Sequence, residues 1–437
     1  MTNQHRKLIL AIGDVALMYL ALTAALWLRG VPEPVSYWQG QFWGFSLMHL
    51  IWLLVLYIDG FYSLKRLRLG LAFLQGLIRF SAFAGLLGAA FFYIFNVFGI
   101  TPKTVLLLHL LSFLPLFVLW RHLAGRIFLS RNLRRPVIIL QAEDETGMLA
   151  DELAADPFGP FRVVATCLLN QPGLLTLAKD LQAETVVVSE KAWPRLPPET
   201  YDLAMAGIRI VDSVTFNEEY QQRIRAEGQD LSWFLAGFPD IRKPEYELAK
   251  RSVEAIGALA TGLVLLPVSI LIAFGVRLSG PGPILFVQER IGRHGRPFRL
   301  VKFRSMTADA ENDGPRWAEK GDLRVTGFGR FLRHTHLDEI PQLWNVLRGE
   351  MSLIGPRPEQ PAFVEELKRQ IPYYGLRHLV RPGLSGWAQI NYPYGASIRD
   401  AAEKLTYDLW YVKHRSTAVD LKIALKTVAM LFRGEGR

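Results

Sequence analysis

Residues 253–276 read VEAIGALATGLVLLPVSILIAFGV, an apolar run long enough to cross a bilayer, which takes about 20 helical residues. Pro267 stands in the middle of the run, where it removes one backbone hydrogen bond and kinks a helix, and Ser269 is close enough to satisfy a freed carbonyl. Basic residues flank the run on both sides: Lys243, Lys250 and Arg251 before it, and Arg277, Arg290, Arg293, Arg296 and Arg299 after it. Because positive charge favours the cytoplasmic side of a membrane, both ends are predicted to be cytoplasmic. We interpret residues 253–276 as a re-entrant helix, with a kinked full span as the alternative.

Four earlier stretches are also apolar enough to cross a bilayer, and half of the whole chain is hydrophobic. They cover residues 8–28, 41–62, 80–99 and 104–120. Lys and Arg precede the first stretch and follow the second and the fourth, whereas the loop at 31–40 has neither. Residues 1–135 are therefore predicted to form a four-helix transmembrane bundle with both ends in the cytoplasm.

Two carboxylates, Asp14 and Asp59, fall within these predicted spans. An ionisable group is costly in lipid, so each is expected to face another helix or to lie near an interface, with a packing role favoured over transport.

Residues 136–240 have the pattern of a small α/β domain. Strand-like runs at 137–140, 163–169, 185–189 and 208–211 alternate with helical stretches, which predicts a Rossmann-like arrangement. The sequence after the first strand, Gln141 to Gly147, has no Gly-x-Gly-x-x-Gly turn, so the domain is predicted to be degenerate and without a dinucleotide site. A homodimer contact and a regulatory role are both open uses for it.

Charge and cysteine content narrow the class of partner. The formal net charge of +10 suits an anionic partner such as a phospholipid or a pyrophosphate. No helix-turn-helix, zinc-finger or RNP-like pattern favours nucleic acid. The lone Cys167 forms no internal disulfide, which indicates folding in a reducing compartment such as the cytoplasm.

Phosphate-compatible motifs begin after residue 279. A Gly and Pro loop at 279–283 leads to Lys302-Phe-Arg-Ser-Met306. Lys302 and Arg304, two residues apart, are expected to share one face of a strand and to clamp a diphosphate. A solvated basic strand near the membrane is the alternative.

Adjacent carboxylates follow in Leu337-Asp-Glu-Ile-Pro-Gln342, between Arg333 and Arg357. Phosphoryl transfer gives such a pair a use, because one carboxylate can attack phosphorus while its neighbour holds a divalent metal. Mg²⁺ is favoured, since it accepts one carboxylate together with phosphate oxygens and water. A transition-metal site at His334 and His336 is a weaker alternative, because His-x-His occurs here without a further ligand pattern.

Residues 241–437 resemble the bacterial sugar transferase family, the monotopic polyprenyl-phosphate hexose-1-phosphate transferases of capsule and exopolysaccharide assembly. Four boxes occur in the family's order: the two quoted above, Met351-Ser-Leu-Ile-Gly-Pro-Arg-Pro358, and Arg381-Pro-Gly-Leu-Ser-Gly-Trp-Ala-Gln389. The resemblance covers about 245–437, and the preceding bundle and Rossmann-like domain are similar to those of the family's long members. The implied fold is a membrane protein with α and α/β parts and a C-terminal catalytic domain that carries the re-entrant helix 253–276.

The resemblance implies a covalent, two-step reaction on the cytoplasmic face of the bacterial inner membrane. Asp338 would attack the β-phosphorus of a UDP-sugar and release UMP, Glu339 would bind Mg²⁺, and undecaprenyl phosphate would then displace Asp338. Further substrate contacts are expected from one group of residues: Lys302, Arg304, Arg333, Arg357, Arg381 and Gln389. His336 departs from the small hydroxyl residue expected before Leu337.

Two other functions remain open at the level of sequence. A membrane-anchored nucleotide-sugar dehydratase would join four spans to a Rossmann domain, and Tyr246-x-x-x-Lys250 mimics its catalytic pair, although the glycine turn is absent. A non-catalytic scaffold of polysaccharide assembly would need no acidic dyad, and the intact Asp338-Glu339 pair argues against it.

Overall fold

A computed structural model shows two compact units, Met1–Phe216 and Asn217–Arg437. The structure describes residues 3–30, 34–67, 70–94, 103–128, 134–141, 148–155, 159–169, 171–189, 192–225, 243–307, 310, 322, 324–392, 395 and 397–433. The predicted three-part division at residues 135 and 240 stays a prediction.

The first unit begins with four long helices: α1 (Asn3–Leu28), α2 (Pro34–Ile58), α3 (Leu71–Ile94) and α4 (Lys103–Phe128). Their shared core is rich in fully buried aromatic side chains, including Trp52, Phe80 and Phe113, while many apolar side chains point outward. An apolar core combined with an apolar exterior is expected of helices that lie in lipid.

Both acidic residues of the predicted spans have basic partners. Asp14 of α1 forms a fully buried ion pair with Arg121 of α4, 2.5 Å between nitrogen and oxygen. Asp59, just after α2, pairs with Arg79 of α3 at 2.9 Å. The expectation that these carboxylates face other helices is therefore confirmed, and the preference for a packing role over transport stays a prediction.

Four helices of the described residues are long and apolar enough to cross a membrane: His5–Leu28, Leu71–Tyr93, Thr104–Phe128 and Pro244–Leu278. The boundaries differ from prediction at each helix. α1 starts at Asn3 and not at residue 8, α2 covers Pro34–Ile58 and ends before residue 62, and α4 continues to Phe128, beyond the predicted end at residue 120. The third helix starts at Leu71 and not at residue 80; residues 95–99 of that predicted span lie outside the described residues.

The rest of the first unit is a parallel α/β sheet. Strands β1 (Arg135–Gln141), β2 (Phe161–Leu168), β3 (Thr185–Val188) and β4 (Arg209–Asp212) pair in the order β2-β1-β3-β4. Helices α5 (Met148–Ala155), α6 (Leu174–Asp180) and α7 (Thr200–Met205) connect successive strands, and α8 (Ser213–Tyr220) follows the last. All four predicted strands are present. The comparison with a degenerate Rossmann domain stays a prediction, because residues 142–147 lie outside the described residues.

The boundary between the two units falls within α8, and the next described helix of the second unit is α9 (Pro244–Leu278), which has 35 residues and contains Pro267. An antiparallel hairpin follows, β5 (Leu285–Ile291) and β6 (Pro297–Phe303), and then come two short helices, α10 (Gly327–Thr335) and α11 (Gln342–Arg348). Strands β7 (Ser352–Ile354) and β8 (Gly383–Ser385) pair in parallel. The remaining helices are α12 (Pro361–Gln370), α13 (Trp387–Asn391), α14 (Ile398–His414) and α15 (Thr417–Arg433).

Local sequence explains where the helices near the candidate site begin. α9 has Pro244 in its first turn, where the missing N–H costs nothing. The Thr326 side chain accepts a hydrogen bond from the Gly329 N–H at 2.9 Å and caps α10. Ser397 and Asp400 form a complete capping box at the start of α14.

Candidate active site

The adjacent carboxylates lie on a tight turn between two helices. α10 ends at Thr335, and the next residue, His336, has a left-handed φ of 56°. A single 3-10 turn, Leu337–Glu339, then leads on towards α11. Left-handed backbone is unfavourable for a residue with a Cβ, so the surrounding structure must hold the turn in place. The turn buries Asp338, which is 7% exposed.

The surroundings of Asp338 have opposing effects on the pKa of its carboxyl group. Burial, reinforced by the neighbouring charge of Glu339, raises the pKa of Asp338 to about 6, while Lys302, Arg333 and Arg357 act in the opposite direction. No described residue donates a hydrogen bond to its carboxylate. Asp338 is therefore ionised at neutral pH and its oxygens are not engaged by the fold.

Glu339 is held by a forked contact with Arg357. The Arg357 Nη2 lies 2.7 Å from Oε1 of Glu339, and its Nη1 lies 3.5 Å from Oε2. The Glu339 carboxylate raises the pKa of Arg357 further above its already high range. This two-point contact fixes the plane of the carboxylate as well as its position.

Lys302 and Arg333 complete the basic surroundings of Asp338. Lys302 comes from β6, and its Nζ lies 5.0 Å from the centre of the Phe286 ring. Burial, followed by the charge of Arg290, lowers the pKa of Lys302 to about 8. The Nε of Arg333 donates to the Ser305 hydroxyl at 3.1 Å, which orients its guanidinium. Three predicted cationic residues, Lys302, Arg333 and Arg357, thus surround the predicted dyad.

Arg304 has a different environment from the one expected of it. It is 6% exposed, and its guanidinium donates to the carbonyls of Val276 at 3.0 Å, Gly280 at 2.6 Å and Pro281 at 2.7 Å. These carbonyls belong to the last turn of α9 and the loop after it, where helix carbonyls have no helical partner. The contacts favour a role in anchoring the end of α9 over the predicted contact with phosphate.

Arg381 lies in a second basic group near the start of α9. It lines a small cavity of about 30 Å³ together with Tyr246, Lys250, Arg293 and Arg415. Burial and then the charge of Arg293 lower the pKa of Arg381. Among the described residues, Asp338 and Glu339 do not line this cavity.

Gln389 is half-buried, and within the described residues its Oε1 has no hydrogen-bond partner. Its Nε2 donates to the Leu384 carbonyl at 3.0 Å, and the neighbouring Asn391 donates to the Trp387 carbonyl at 2.9 Å. The predicted sugar contact of Gln389 therefore stays a prediction. The hydrogen bond to Leu384 supports the alternative, in which Gln389 stabilises the local fold.

Pro267 and Ser269 lie within α9 as the sequence predicts. The Ser269 hydroxyl donates to the Leu265 carbonyl at 2.9 Å. The carbonyl that Pro267 leaves without its helical partner is that of Leu263, four residues earlier. The expectation that Ser269 compensates for Pro267 is therefore wrong, because the Ser269 hydroxyl bonds the Leu265 carbonyl and not that of Leu263.

The dyad offers one carboxylate for the predicted metal. Within the described ranges there is no group of three or more His, Cys, Asp or Glu side chains that could hold a metal ion, so the predicted His334 and His336 transition-metal alternative gains no support. Mg²⁺ needs only one or two carboxylates, with phosphate oxygens and water as its other ligands. Glu339 would supply one carboxylate and share its oxygens with Arg357, so the predicted Mg²⁺ site stays a prediction.

The structure also reveals polar residues that the sequence motifs did not single out. Glu254 of α9 is 6% exposed and accepts hydrogen bonds from the Ser352 hydroxyl at 2.5 Å and the Leu353 N–H at 3.0 Å, tying α9 to β7. Arg377 and Asp408 form a buried pair at 2.8 Å. The sequence could have indicated Glu254, because it is an acidic residue inside an apolar run. It does not predict the pair of Arg377 and Asp408, because these residues are far apart along the chain.

The Tyr246 and Lys250 pair, which mimics a dehydratase motif, is used for packing. The Tyr246 hydroxyl donates to Asp420 at 2.6 Å, and the Lys250 Nζ donates to the Ile354 carbonyl and the Tyr411 hydroxyl, both at 2.8 Å. These bonds join α9 to β7, α14 and α15.

A buried carboxylate surrounded by cationic side chains, in a unit that contains a long apolar helix, is the arrangement expected of a membrane-associated enzyme that acts on phosphate-containing substrates. Comparison with known proteins identifies the family: the model of the bacterial sugar transferases matches residues 245–434. Similar proteins include the UDP-N-acetylgalactosamine-undecaprenyl-phosphate N-acetylgalactosaminephosphotransferase of Aeromonas hydrophila, 42% identical over 288 residues, which are 64% of this chain and 67% of that protein. The chain belongs to the bacterial sugar transferase family, as the ordered motifs indicated.

Two further relatives are named as UDP-glucose:undecaprenyl-phosphate glucose-1-phosphate transferases. The Escherichia coli protein is 42% identical over 183 residues, 41% of this chain and 39% of that protein. The Caulobacter vibrioides protein is 39% identical over 187 residues, 42% of this chain and 70% of that protein. The chain thus spans about two-fifths of the length of the Escherichia coli relative and over two-thirds of that from Caulobacter.

Proposed function

We propose that this protein transfers a sugar 1-phosphate from a UDP-sugar to undecaprenyl phosphate, releasing UMP, and so initiates the synthesis of a lipid-linked repeat unit of an exopolysaccharide, capsule or O-antigen. The observation that carries the proposal is the environment of Asp338: a buried carboxylate without a hydrogen-bond donor among the described residues, beside Glu339 and surrounded by three cationic side chains. The names of the relatives supply the class of donor and carrier.

The first step forms a bond between an Asp338 oxygen and the β-phosphorus of the UDP-sugar. The bond from that phosphorus to the oxygen shared with the α-phosphorus breaks, and UMP leaves with the electron pair. Lys302, Arg333 and Arg357 would neutralise the charge that develops on the phosphoryl oxygens and on UMP. The product is a mixed anhydride of Asp338 with the sugar phosphate.

In the second step, an oxygen of undecaprenyl phosphate attacks the same phosphorus. The bond to Asp338 breaks, the carboxylate is regenerated, and the lipid diphosphate sugar is released. A pKa of about 6 suits both roles of Asp338, because the group is ionised as a nucleophile at neutral pH and is a stable leaving group. Bound Mg²⁺, held by Glu339, would supply further charge neutralisation of the diphosphate.

The course of α9 supports a re-entrant helix in this protein. Ala258 belongs to an apolar cluster with Leu300 of β6, whereas Ile272 and Val276 belong to one with Phe303 of the same strand. Residues 258 and 272 would be about 21 Å apart in a straight helix, while three residues along a strand span about 10 Å. Both halves of α9 therefore belong to clusters that also contain residues of one strand of the same unit, which supports the proposal of a helix that enters and leaves on one side.

The apolar middle of α9 supplies the membrane-facing part of this proposal. Leu263, Val264 and Leu271 are each more than 60% exposed. With basic residues on both sides of the helix, we infer that the catalytic unit lies on the cytoplasmic face of the inner membrane, where UDP-sugars are made.

The test is incubation of membranes containing the full chain with undecaprenyl phosphate and radiolabelled UDP-glucose or UDP-N-acetylgalactosamine. Wild type is expected to release UMP and to label the lipid, and Asp338→Asn to do neither. Equal UMP release by both proteins would exclude Asp338 as the nucleophile, and release by neither with any UDP-sugar would refute the proposed activity. Cysteine labelling at Gly280 from each side of the membrane tests topology separately, since access from the periplasm would exclude re-entry.

A further inference from the structure

A buried ion pair lies directly behind the loop that carries Arg357. Arg377, in the 3-10 turn Tyr374–Leu379, is 6% exposed, and Asp408 of α14 is 1% exposed. Nη2 of Arg377 lies 2.8 Å from Oδ2 of Asp408. Removing two charges from water is costly, and an apolar pair of similar size often stabilises a fold to the same extent. Stability alone therefore does not explain why this position holds an ion pair.

The remaining donors of Arg377 show where the pair acts. The same Nη2 donates to the backbone carbonyl of Arg357 at 2.9 Å, and Nη1 donates to the Tyr374 hydroxyl at 2.5 Å. One planar guanidinium therefore joins α14, its own turn and the backbone of Arg357. A lysine ammonium has neither the fork nor the reach to hold these acceptors together.

The loop around Arg357 is restrained on all sides. Proline precedes and follows Arg357 and restricts the backbone dihedrals on either side of it. The next carbonyl, that of Pro358, accepts a hydrogen bond from Arg290 at 3.0 Å. At Gly355 a Cβ would lie 2.4 Å from the Arg381 carbonyl, so the loop is packed against the neighbouring backbone without space for a side chain.

Restraint of this backbone determines the direction of the Arg357 side chain, which makes the forked contact with Glu339. We propose that Arg377, held by Asp408, is a positioning residue of the active site, which sets the location of Arg357 and through it the orientation of Glu339. Arg377 acts without touching substrate. This inference rests on the proposed function for its kinetic consequence, but its structural consequence is independent of the reaction catalysed.

The test compares Arg377→Lys, Arg357→Lys and the double variant in the full chain. Arg415→Lys is the matched control: Arg415 is 2% exposed and pairs with Glu247 at 2.8 Å, so it has similar burial and pairing outside the dyad loop. Initial rates of UMP release are measured in membranes with undecaprenyl phosphate and with the donor, UDP-glucose or UDP-N-acetylgalactosamine, that supports wild-type turnover. Each variant is compared at equal amounts of folded protein.

Arg377→Lys is expected to lower kcat about tenfold or more, because a misplaced charge-assisted hydrogen bond is worth about that factor, with KM for the donor within about threefold of wild type. The double variant is expected to be no more than about threefold slower than Arg357→Lys, since both substitutions interrupt one chain of contacts. Arg415→Lys is expected to change kcat less than about threefold and to add its effect independently to that of Arg357→Lys.

Independent effects of Arg377→Lys and Arg357→Lys, or a change no larger than that of Arg415→Lys, would overturn the positioning role. Hydrogen exchange provides a readout that needs no turnover. Arg377→Lys should increase amide exchange in both the 355–359 loop and the 337–340 turn, and Arg415→Lys in neither. Unchanged exchange in the 337–340 turn would also overturn the inference, whereas absence of wild-type turnover with altered exchange would refute only the proposed function.

Discussion

Replacing Arg304 by Lys separates two roles that the sequence motif does not distinguish. In the structure the Arg304 guanidinium donates to three backbone carbonyls at the end of α9. A Lys at this position keeps the charge but is expected to reach one of the three acceptors well. The Val276 carbonyl still accepts from the Ser279 hydroxyl at 2.8 Å, so at most the half-buried carbonyls of Gly280 and Pro281 lose their donor, and the expected loss of unfolding free energy is about 1–2 kcal/mol.

For a unit of this size, such a loss lowers the unfolding temperature by roughly 2–8 °C. The assay is thermal unfolding of the purified full chain by tryptophan fluorescence, without ligand, together with KM for the UDP-sugar at a temperature where the variant is folded. The anchoring role predicts a clear fall in Tm and a KM within about threefold of wild type. An unchanged Tm with KM raised tenfold or more would refute it and would restore Arg304 to the phosphate site.

Other predictions concern titration and packing within the second unit. The pH profile of kcat/KM should rise with an apparent pKa near 6, as Asp338 ionises, and fall near 8, as Lys302 loses its proton; a flat profile between pH 5 and 9 would contradict both assignments. Gly383→Ala should prevent stable folding, because its Cβ would lie 2.1 Å from a backbone nitrogen, whereas Gly375→Ala, with no atom within 4 Å, should express and unfold like wild type. Glu254→Ala should lower the unfolding free energy by about 1–3 kcal/mol, measured by fluorescence, because the Leu353 N–H loses its acceptor, while the Ser352 hydroxyl and the Ile354 N–H keep their contacts with each other's residue at 2.8 Å and 3.2 Å; an unchanged Tm would exclude a stabilising contact between α9 and β7 through Glu254.

The elements nearest the dyad could be predicted from sequence because several ordered motifs agree on them. Lys302 and Arg304 show where that reasoning stops. The rule that residues two apart share a face holds only inside a strand, and β6 ends at Phe303. Arg304 lies just beyond the strand and turns to the end of α9, a tertiary contact that the spacing does not encode.

Charge pairing explains the error in the third span. Arg79 suggests that an apolar helix should begin after it, yet α3 begins at Leu71 and includes it. The ion pair with Asp59 at 2.9 Å reduces the cost of placing Arg79 within the helix. A partner that is distant in sequence also explains why Arg377 and Asp408 were not predicted, since neither residue alone differs from a surface charge.

The covalent intermediate on Asp338 is the central claim, and mass spectrometry of the protein after incubation with a UDP-sugar alone tests it most directly. The account predicts that the peptide containing Asp338 gains the mass of one sugar phosphate, with one UMP released per protein, and that added undecaprenyl phosphate removes the modification. UMP release only when both substrates are present, with no modified peptide at any time, would contradict the account.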